Sequence, residues 1–380
     1  MQKNYLMTPG PTPVPPEVLT AMARPIIHHR TPQYEKIFKE VNDNLKYVFR
    51  TTNDILTFAS SGTGAMEAAV VNLLSRSDKV LVISGGKFGQ RWAEICNTYS
   101  LDVKIIDVPC GDSVDPGEVK AYLDKCPDIK VVFTTYCETS TGAVTDIQRI
   151  SQILKNTQAI IVVDAISAFA GMELLTDEWG IDVVVVGSQK GLMIPPGLSF
   201  CSVSKKAWER VSTSKLPKYY FDFKRAKKAL DKNTTAYTPA ISLTVALNEA
   251  LKIIKTEGLE NALLRHKMLA RACRRAMNTL NLQIFAKNPA DVVTSVKVPE
   301  GIDGAKLVKT MREKYGVSIA GGQEELKGKI FRIAHMGYMD KFDLVVAVSC
   351  LEIVLSELGY KIEFGQGVGA LEEVFKEVQK

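Results

Sequence analysis

The chain has 380 residues, of which 46% are hydrophobic and 24% are charged, and it carries a formal net charge of +6. This composition excludes a mainly disordered chain, and no apolar run approaches the ~18 residues that a membrane-spanning helix needs. The length suggests two or three domains. The modest positive charge suits anionic small ligands as well as nucleic acid and selects neither.

Cysteine and histidine usage indicates the compartment and the kind of site. The seven cysteines are odd in number and widely spread without a CxxC pair, and the four histidines are scattered. This pattern argues against a disulfide framework or a metal site and favours a reducing compartment. The N-terminus lacks the apolar segment of a signal peptide, and the last residues, Val378-Gln379-Lys380, are not a peroxisomal signal. We therefore predict a cytoplasmic protein without a metal site.

The chain begins with a proline-rich stretch. Because proline fixes φ and lacks an N–H donor, residues 1–20 are predicted to form an extended arm. Residues 31–50 then place apolar side chains at helical spacing, with Thr31 as N-cap and Pro32 at the first helical position.

From residue 55, short apolar runs alternate with helical stretches. The runs predict buried strands at Ile55–Ala59, Lys79–Ile83, Val103–Ile106, Val131–Thr135, Ile160–Val163 and Val183–Val186, with helices at 63–75, 88–99, 116–125 and 146–156. Such alternation predicts a parallel sheet covered on both faces. Ligands of such sheets bind at the carboxyl ends of the strands.

The pattern changes after residue 200. Residues 205–238 are rich in lysine and poor in apolar runs, and a long helical stretch runs from Thr238-Pro239 to about residue 278. Strands at Val292–Val298 and Ile330–Ala334 and helices at Ala305–Tyr315 and Lys341–Leu358 follow. We predict a large domain over residues 21–262 and a smaller C-terminal α/β domain over residues 263–380.

Three predicted strand ends carry polar residues. The first runs through Ser61-Gly62-Thr63-Gly64 into a helix, which would present free N–H groups and a positive dipole to a phosphate, although a plain tight turn explains it equally well. Asp164 ends the fifth run and suits either a helix cap or a site carboxylate. Lys190 follows four valines, and it is either a lysine that reaches solvent or a buried amine with a lowered pKa.

Taken together, these three features predict a pyridoxal phosphate site. That cofactor requires an amine for the Schiff base, an acid beside its pyridine nitrogen and an anion site for its phosphate. A lysine released from the Schiff base by substrate can then move protons.

With these residues in place, the chain resembles the class V aminotransferases of the alanine–glyoxylate and serine–pyruvate type over nearly its whole length. The motifs in family order are Thr8-Pro9-Gly10-Pro11, Ser61-Gly62-Thr63-Gly64, Gly89-Gln90-Arg91, Glu138-Thr139-Ser140-Thr141-Gly142, Val163-Asp164-Ala165, Gly187-Ser188-Gln189-Lys190 and Arg332-Ile333. The resemblance implies a fold-type I α/β transferase with a mainly parallel seven-stranded sheet. It also implies pyridoxal 5′-phosphate as cofactor and a homodimer with shared active sites.

The resemblance also implies a role for each matching residue. Lys190 forms the Schiff base and Asp164 holds the pyridine nitrogen. The other implied cofactor contacts are the phosphate group Ser61, Gly62, Thr63 and Gln189, the ring contacts Phe88 and Ile166, and the hydroxyl of Thr139. Arg332 and the backbone of Gly10 are the implied substrate contacts. Either Tyr237 or Thr238 is implied to reach the phosphate of the partner chain.

The segment His28-His29-Arg30 precedes a predicted helix. It has two possible interpretations, a substrate contact and a solvated helix start. The resemblance implies a ping-pong transaminase that moves the amino group of alanine or serine to glyoxylate or pyruvate. Alternatives are an aspartate aminotransferase of the same family, a cysteine-desulfurase-like enzyme and a non-catalytic pyridoxal phosphate protein. A nucleotide-binding protein fits less well, because no GxGxxG motif follows a strand.

Overall fold

The computed structural model describes residues 3–377. Residues 1, 2 and 378–380 lie outside the described part. They include the outermost residues of the predicted arm and small domain and the C-terminal tripeptide.

The N-terminal segment is only partly extended. A two-residue strand, β1 (Tyr5–Leu6), is followed by helix α1 (Pro16–Met22) and helix α2 (Pro32–Phe49). The prediction of an arm extended through residue 20 is therefore wrong from Pro16, because a proline is well tolerated at the first position of a helix. The predicted cap of α2 is confirmed, since Thr31 Oγ1 accepts a hydrogen bond from Tyr34 N.

The central part of the chain alternates strands and helices as predicted. Its elements are β2 (Asp54–Phe58), α3 (Gly62–Leu73), β3 (Lys79–Ser84), α4 (Lys87–Thr98), β4 (Asp102–Asp107), α5 (Pro116–Lys125), β5 (Val131–Thr135), β6 (Cys137–Glu138), β7 (Ala143–Val144), α6 (Ile147–Leu154), β8 (Ile160–Asp164), α7 (Thr176–Trp179), β9 (Val183–Gly187) and β10 (Ser199–Val203). All six predicted strands are present with ends shifted by no more than one residue, and the four predicted helices agree within two residues.

Seven of these strands form one sheet in the order β2-β10-β9-β8-β5-β3-β4. Strand β10 is antiparallel to both of its neighbours, and the other pairs are parallel. Strand β2 therefore runs in the direction of β9, and the carboxyl ends of β2, β8 and β9 meet at one edge. The predicted mainly parallel sheet and the predicted convergence of its polar strand ends are both confirmed.

The sheet lies between two apolar layers. Val184 and Val186 of β9 pack in one core cluster, and Val183 and Val185 pack in the other. Because successive side chains of a strand point to opposite faces, a strand covered on both faces needs an unbroken apolar run. This explains why four valines precede the loop that carries Lys190.

The segment after β10 is more helical than the sequence predicted. Helices α8 (Lys205–Thr213) and α9 (Phe223–Leu230) occupy the lysine-rich stretch, and each buries only one or two side chains, so their apolar signal is weak. The single long helix predicted to residue 278 is wrong. It is two helices, α10 (Ile241–Glu257) and α11 (Leu259–Thr279), because Gly258 adopts φ +83° between them.

The remaining elements are β11 (Val293–Lys297), α12 (Gly304–Tyr315), β12 (Val317–Ser318), β13 (Ala320–Gly321), β14 (Ile330–Ala334), α13 (Lys341–Glu357) and α14 (Gln366–Glu377). Strands β11, β14 and β13 form an antiparallel sheet, and β1 pairs in parallel with β12, which ties the N-terminal arm to this part of the chain. Helix α14 was not predicted. The predicted domain boundary after residue 262 falls inside α11, and the division into domains stays a prediction.

Two fully buried histidines contact the backbone and side chains around this C-terminal sheet, His266 from α11 and His335 from directly after β14. His266 Nε2 accepts a hydrogen bond from Gly337 N at 2.9 Å, and its Nδ1 contacts the carbonyl of Ala262. His335 Nε2 lies 2.9 Å from Thr294 Oγ1, and its Nδ1 lies 3.0 Å from the carbonyl of Asp291. Burial lowers the pKa of His266 to about 4 and that of His335 to about 3. Both rings are therefore neutral in the folded protein.

These two rings predict a loss of stability in mild acid. In the unfolded chain each imidazole takes up a proton near pH 6.5, whereas the folded rings stay neutral at pH 5. The free energy of unfolding should therefore fall by about 4 kcal/mol between pH 7 and pH 5 on account of this pair. Chemical denaturation of the holoenzyme at both pH values measures the loss. His266→Gln keeps an acceptor for Gly337 N, and it should halve the pH-dependent loss; an unchanged loss would contradict this account.

Candidate active site

A cavity of about 520 Å³ opens at the carboxyl edge of the large sheet. The arm, the strand ends of the sheet and the segment around β12 to β14 line it. The predicted site residues on its wall are Gly10, Ser61, Gly62, Thr63, Phe88, Thr139, Asp164, Ile166, Gln189, Lys190 and Arg332. The structure therefore brings together every predicted site residue except Tyr237 and Thr238.

Tyr237 and Thr238 lie on a neighbouring pocket beside β2. The Tyr237 hydroxyl donates to the carbonyl of Tyr219 at 2.9 Å, and its ring stacks on that of Tyr220 at 5.2 Å. Neither residue reaches the cavity of its own chain.

Lys190 lies in the loop after β9 with its side chain in the cavity, and the residue is 6% exposed. Its Nζ donates to Ser167 Oγ at 2.7 Å and lies 3.4 Å from Thr139 Oγ1. Burial lowers the pKa of this amine to about 8, which raises the share of the nucleophilic free base near neutral pH. A buried lysine paired only with hydroxyls is suited to react with a carbonyl group.

The N-terminal arm holds the lysine loop in place. Thr12 Oγ1 donates to the carbonyl of Lys190 at 3.0 Å, and Thr12 N donates to the carbonyl of Gln189 at 3.1 Å. Gly10 adopts φ +113°, and a Cβ at this position would lie 2.8 Å from Lys190 Cε. Glycine is therefore required where the arm passes over the lysine side chain.

Asp164 ends β8 and is 3% exposed. Its Oδ1 accepts a hydrogen bond from Ile166 N at 2.8 Å. Within residues 3–377, no cationic side chain forms an ion pair with this carboxylate. Burial raises its pKa to about 6, against the opposing effects of the Ile166 hydrogen bond and of the Lys190 charge. A buried carboxylate of this kind is stabilised by a ligand that brings a positive charge to it.

The start of α3 forms a small-residue cradle. Ser61 is the N-cap but its side chain makes no capping hydrogen bond, so the first N–H groups of α3 remain open to a ligand. A Cβ on Gly62 would lie 2.4 Å from Ile166 Cδ1, so only glycine allows the helix start to approach Ile166. Nearby, the buried carboxamide oxygen of Gln189 has no hydrogen-bond partner among the described residues.

Glu138 fixes the start of α4, where Phe88 lies. This carboxylate is buried and accepts hydrogen bonds from Phe88 N at 3.1 Å, Gly89 N at 2.9 Å and Ser140 N at 3.1 Å. A negative charge at a helix N-terminus is stabilised by the helix dipole. The sequence indicated Glu138 only as part of a motif, and the structure identifies it as the residue that positions Phe88.

Replacing Glu138 by glutamine should weaken the binding of pyridoxal phosphate. The amide keeps the size of the side chain. It has a single acceptor oxygen, however, whereas the backbone donors in the wild type share the two oxygens of the carboxylate. Since each hydrogen bond to a charged group contributes about 1.5–3 kcal/mol, the affinity should fall by about 10-fold or more. Equilibrium dialysis measures it, with Glu94→Gln on the exposed side of the same helix as control. Equal affinities for the two variants would refute this role.

Arg332 lies on β14 and is 5% exposed. Its Nη1 donates to the carbonyl of Thr139 at 2.8 Å, while Nε and Nη2 donate to the carbonyl of Gly321 at 3.1 and 2.6 Å. Burial lowers the pKa of this guanidinium to about 10, so it stays charged at neutral pH. One N–H on each terminal nitrogen remains available, which is the arrangement that binds a carboxylate through two hydrogen bonds.

Sequence reasoning gave no role to several polar residues of the cavity, among them Ser167 and Arg91. Ser167 is the closest partner of Lys190 Nζ, and its place three residues after Asp164 could have suggested it. Arg91 also lines the cavity, and it follows Phe88 by three residues, the spacing that puts two side chains on one helix face. His28 and Arg30 are exposed and do not line the cavity, which agrees with a solvated helix start.

These residues fit pyridoxal phosphate. The cofactor needs an amine, a carboxylate and an anion site, and one cavity holds the amine of Lys190, the unpaired carboxylate of Asp164 and the open N–H groups at the start of α3. These three groups at the carboxyl edge of a mainly parallel sheet are typical of a pyridoxal phosphate-dependent enzyme of fold type I.

The chain belongs to the class-V aminotransferases, because the sequence profile described as "Aminotransferase class-V" matches residues 4–338. It is therefore an aminotransferase, its cofactor is pyridoxal 5′-phosphate, and its substrates are small amino acids and oxo acids. No cluster of three or more His, Cys, Asp or Glu side chains in the described residues could hold a metal ion. None of the described helices has both the length and the apolar character of a membrane span.

Three relatives cover nearly the whole chain. The small subunit of a soluble hydrogenase from Synechococcus sp. (strain PCC 6716) is 43% identical over 98% of this chain and 98% of its own length. The L-aspartate–glyoxylate aminotransferase of Paracoccus denitrificans (strain Pd 1222) is 36% identical over 99% of this chain and 97% of its own. The serine–glyoxylate aminotransferase of Hyphomicrobium methylovorum is 35% identical over 98% and 94%.

Solved structures of aminotransferases share the fold. The ureidoglycine–glyoxylate aminotransferase of Bacillus subtilis superposes with a TM-score of 0.95 at 28% identity, covering 99% of each chain. The alanine–glyoxylate aminotransferase of Nostoc sp. gives a TM-score of 0.90 at 28% identity over 93% of this chain and 96% of its own. The predicted fold class is thereby confirmed.

Proposed function

We propose that this aminotransferase moves the amino group of alanine or serine to glyoxylate or pyruvate by a ping-pong mechanism. The observation that carries the proposal is the presence of Lys190, Asp164 and Arg332 on the wall of one cavity. Glyoxylate is common to the substrate names of the Paracoccus, Hyphomicrobium, Bacillus and Nostoc aminotransferases, while their donors differ. This supports glyoxylate as acceptor more strongly than it supports any donor.

The side chains divide the work of binding and proton transfer. Bound pyridoxal phosphate supplies a ring that accepts electrons from the carbon that loses a proton. Lys190 Nζ would bind the cofactor at rest. Once displaced, the amine would take up the proton that leaves the Cα of the donor, and in the second half-reaction it would give a proton to the Cα of the new amino acid. Asp164 keeps the ring nitrogen protonated through its negative charge. Phe88 and Ile166 would contact the ring, and Ser61, Gly62, Thr63 and Gln189 would hold the phosphate.

The contacts of Arg332 support a role for it in binding the α-carboxylate of the substrate. Arg332→Lys keeps the positive charge but loses the fork that forms two parallel hydrogen bonds. We expect KM for the amino donor to rise by about 10- to 100-fold, with a smaller effect on kcat. Steady-state kinetics of this variant beside Arg312→Lys, a guanidinium of the same cavity that is paired with Glu313 at 3.1 Å, measures the effect. An unchanged KM in Arg332→Lys would remove this role.

A donor and acceptor panel tests the choice of substrates. The holoenzyme is supplied with glyoxylate and with alanine, serine, aspartate or 2-aminoethylphosphonate, and then with pyruvate in place of glyoxylate. The proposal expects the highest kcat/KM for alanine or serine with glyoxylate. A clear preference for aspartate would select the aspartate aminotransferase that the Paracoccus relative suggests.

A cysteine desulfurase and a non-catalytic subunit are less well supported. A cysteine desulfurase needs a nucleophilic cysteine near the cavity, and the loop over residues 320–326 contains none. A non-catalytic subunit agrees with the name of the Synechococcus relative. However, the buried amine of Lys190 and the buried carboxylate of Asp164 are costly to keep without a catalytic use. Transamination by the purified chain alone would distinguish an enzyme from a non-catalytic subunit.

We also infer a homodimer in which the loop over residues 234–239 completes the partner's site. The Tyr237 hydroxyl is engaged by Tyr219 within its own chain, which favours Thr238 as the residue that reaches the partner's phosphate. Light scattering would report the dimer. Mixing Lys190→Ala and Thr238→Ala chains should restore one functional site per mixed dimer, and no restoration would contradict sharing. The cytoplasm stays a prediction, supported by seven cysteines that are all free.

A further inference from the structure

The phosphate cradle at the start of α3 leaves a charge requirement that backbone groups alone do not meet. A phosphate monoester carries about −1.5 to −2 charges at neutral pH. A helix N-terminus contributes only about half a positive charge. The cradle residues Ser61, Gly62, Thr63 and Gln189 are all uncharged, so a nearby cation would contribute strongly to binding.

Four cationic side chains line the cavity, and three of them already form hydrogen bonds or ion pairs elsewhere. Lys190 donates to Ser167 and is the amine that binds the cofactor. Arg332 donates to the carbonyls of Thr139 and Gly321. Arg312 pairs with Glu313, and its side chain is more than half exposed. Within residues 3–377, the fourth cation, Arg91, has no carboxylate within ion-pair distance.

Arg91 is directed to the cradle by two contacts. Its Nη1 donates to Thr63 Oγ1 at 3.2 Å, which brings the guanidinium to the second residue of α3. Its Cζ lies 4.9 Å from the centre of the Phe88 ring, one turn earlier on the same face of α4. The ring and the hydroxyl hold a planar guanidinium in place before any ligand arrives.

We propose that Arg91 is the charge partner of the cofactor phosphate. This inference rests on the proposed use of the cavity as the pyridoxal phosphate site, but it does not depend on which amino acid or oxo acid the enzyme uses. It assigns to Arg91 a role in holding the cofactor and none in proton transfer.

Binding of two probes to the apoenzyme tests the proposal without any substrate. Titration calorimetry gives Kd for pyridoxal phosphate and for pyridoxal, which lacks the phosphate. Arg91→Gln should raise Kd for pyridoxal phosphate by about 10- to 100-fold, the range of a hydrogen bond to a charged group. Kd for pyridoxal should change by no more than about twofold. Arg91→Lys should recover most of the affinity, and Arg312→Gln, which removes a cavity cation outside the cradle, should change neither Kd.

Two results would overturn the proposal. Equal weakening of both probes would mean that Arg91 acts through the position of the Phe88 ring. No change in either Kd, with a raised KM for amino acids in the holoenzyme, would mean that Arg91 contacts substrate. If the donor panel fails while Arg91→Gln weakens only the phosphorylated probe, the proposed substrates are wrong and the role of Arg91 stands.

Discussion

Replacing Lys190 by alanine is expected to lower the rate of amino transfer by at least about 10⁴-fold, because one side chain supplies both the covalent attachment and the proton transfer. Among the described residues, this amine alone is placed in the cavity to do both. It lies 2.7 Å from Ser167 Oγ, and burial holds its pKa at about 8, close to the pH at which a base is most effective. The variant should still bind pyridoxal phosphate, since the cradle at α3 is untouched.

Chemical rescue separates loss of the amine from loss of the fold. Ethylamine added to Lys190→Ala should restore part of the rate, because a small amine can occupy the space of the missing side chain and carry the proton. Lys190→Arg is the matched variant, since it keeps the charge and the bulk but is not a nucleophile. A rate for Lys190→Ala within tenfold of the wild type would remove Lys190 from the mechanism.

Replacing Asp164 by asparagine is expected to slow the donor half-reaction by about 10²- to 10³-fold, the usual effect of removing one preorganised electrostatic contact in a buried site. Asparagine matches the shape and can still accept the hydrogen bond from Ile166 N at 2.8 Å, so the loop after β8 should be retained. What is lost is the negative charge that, in the proposed mechanism, keeps the ring nitrogen protonated.

The effect should appear in the chemical step and not in the binding of the donor. Rapid-mixing absorbance of the holoenzyme with saturating alanine or serine measures that step directly. Asp177→Asn serves as control, because this carboxylate lies outside the cavity and accepts hydrogen bonds from Thr51 and Thr52. A half-reaction rate in Asp164→Asn within twofold of the wild type would exclude the contact with the ring nitrogen.

The sequence predicted the cavity edge well for a simple physical reason. Parallel strands place all their carboxyl ends at one edge, so three polar segments after three apolar runs had to converge. The residues after β2, β8 and β9 indeed share one cavity. The run of four valines before Lys190 predicted a buried strand correctly, because both faces of β9 are buried.

Other features of the fold and site were not predicted from the sequence pattern, because they depend on contacts between residues that are far apart in the chain. Strand β10 includes Ser199 and Ser202, whose polar side chains break the apolar run although both are buried. Ser199 Oγ lies 2.7 Å from Ser60 Oγ, a partner 139 residues away that no local pattern contains. Arg332 was predicted only through the family resemblance. Its two carbonyl partners, at Thr139 and Gly321, meet only in the folded chain.

The donor half-reaction is the most direct test of the central claim that this cavity is a transaminase site. Purified holoenzyme is mixed with alanine or serine in the absence of any oxo acid, and the absorbance band of the bound cofactor is followed together with the release of pyruvate or hydroxypyruvate. The account predicts conversion of the band to that of the aminated cofactor with one equivalent of oxo acid per active site. A band that persists with every donor, with no oxo acid released, would contradict it.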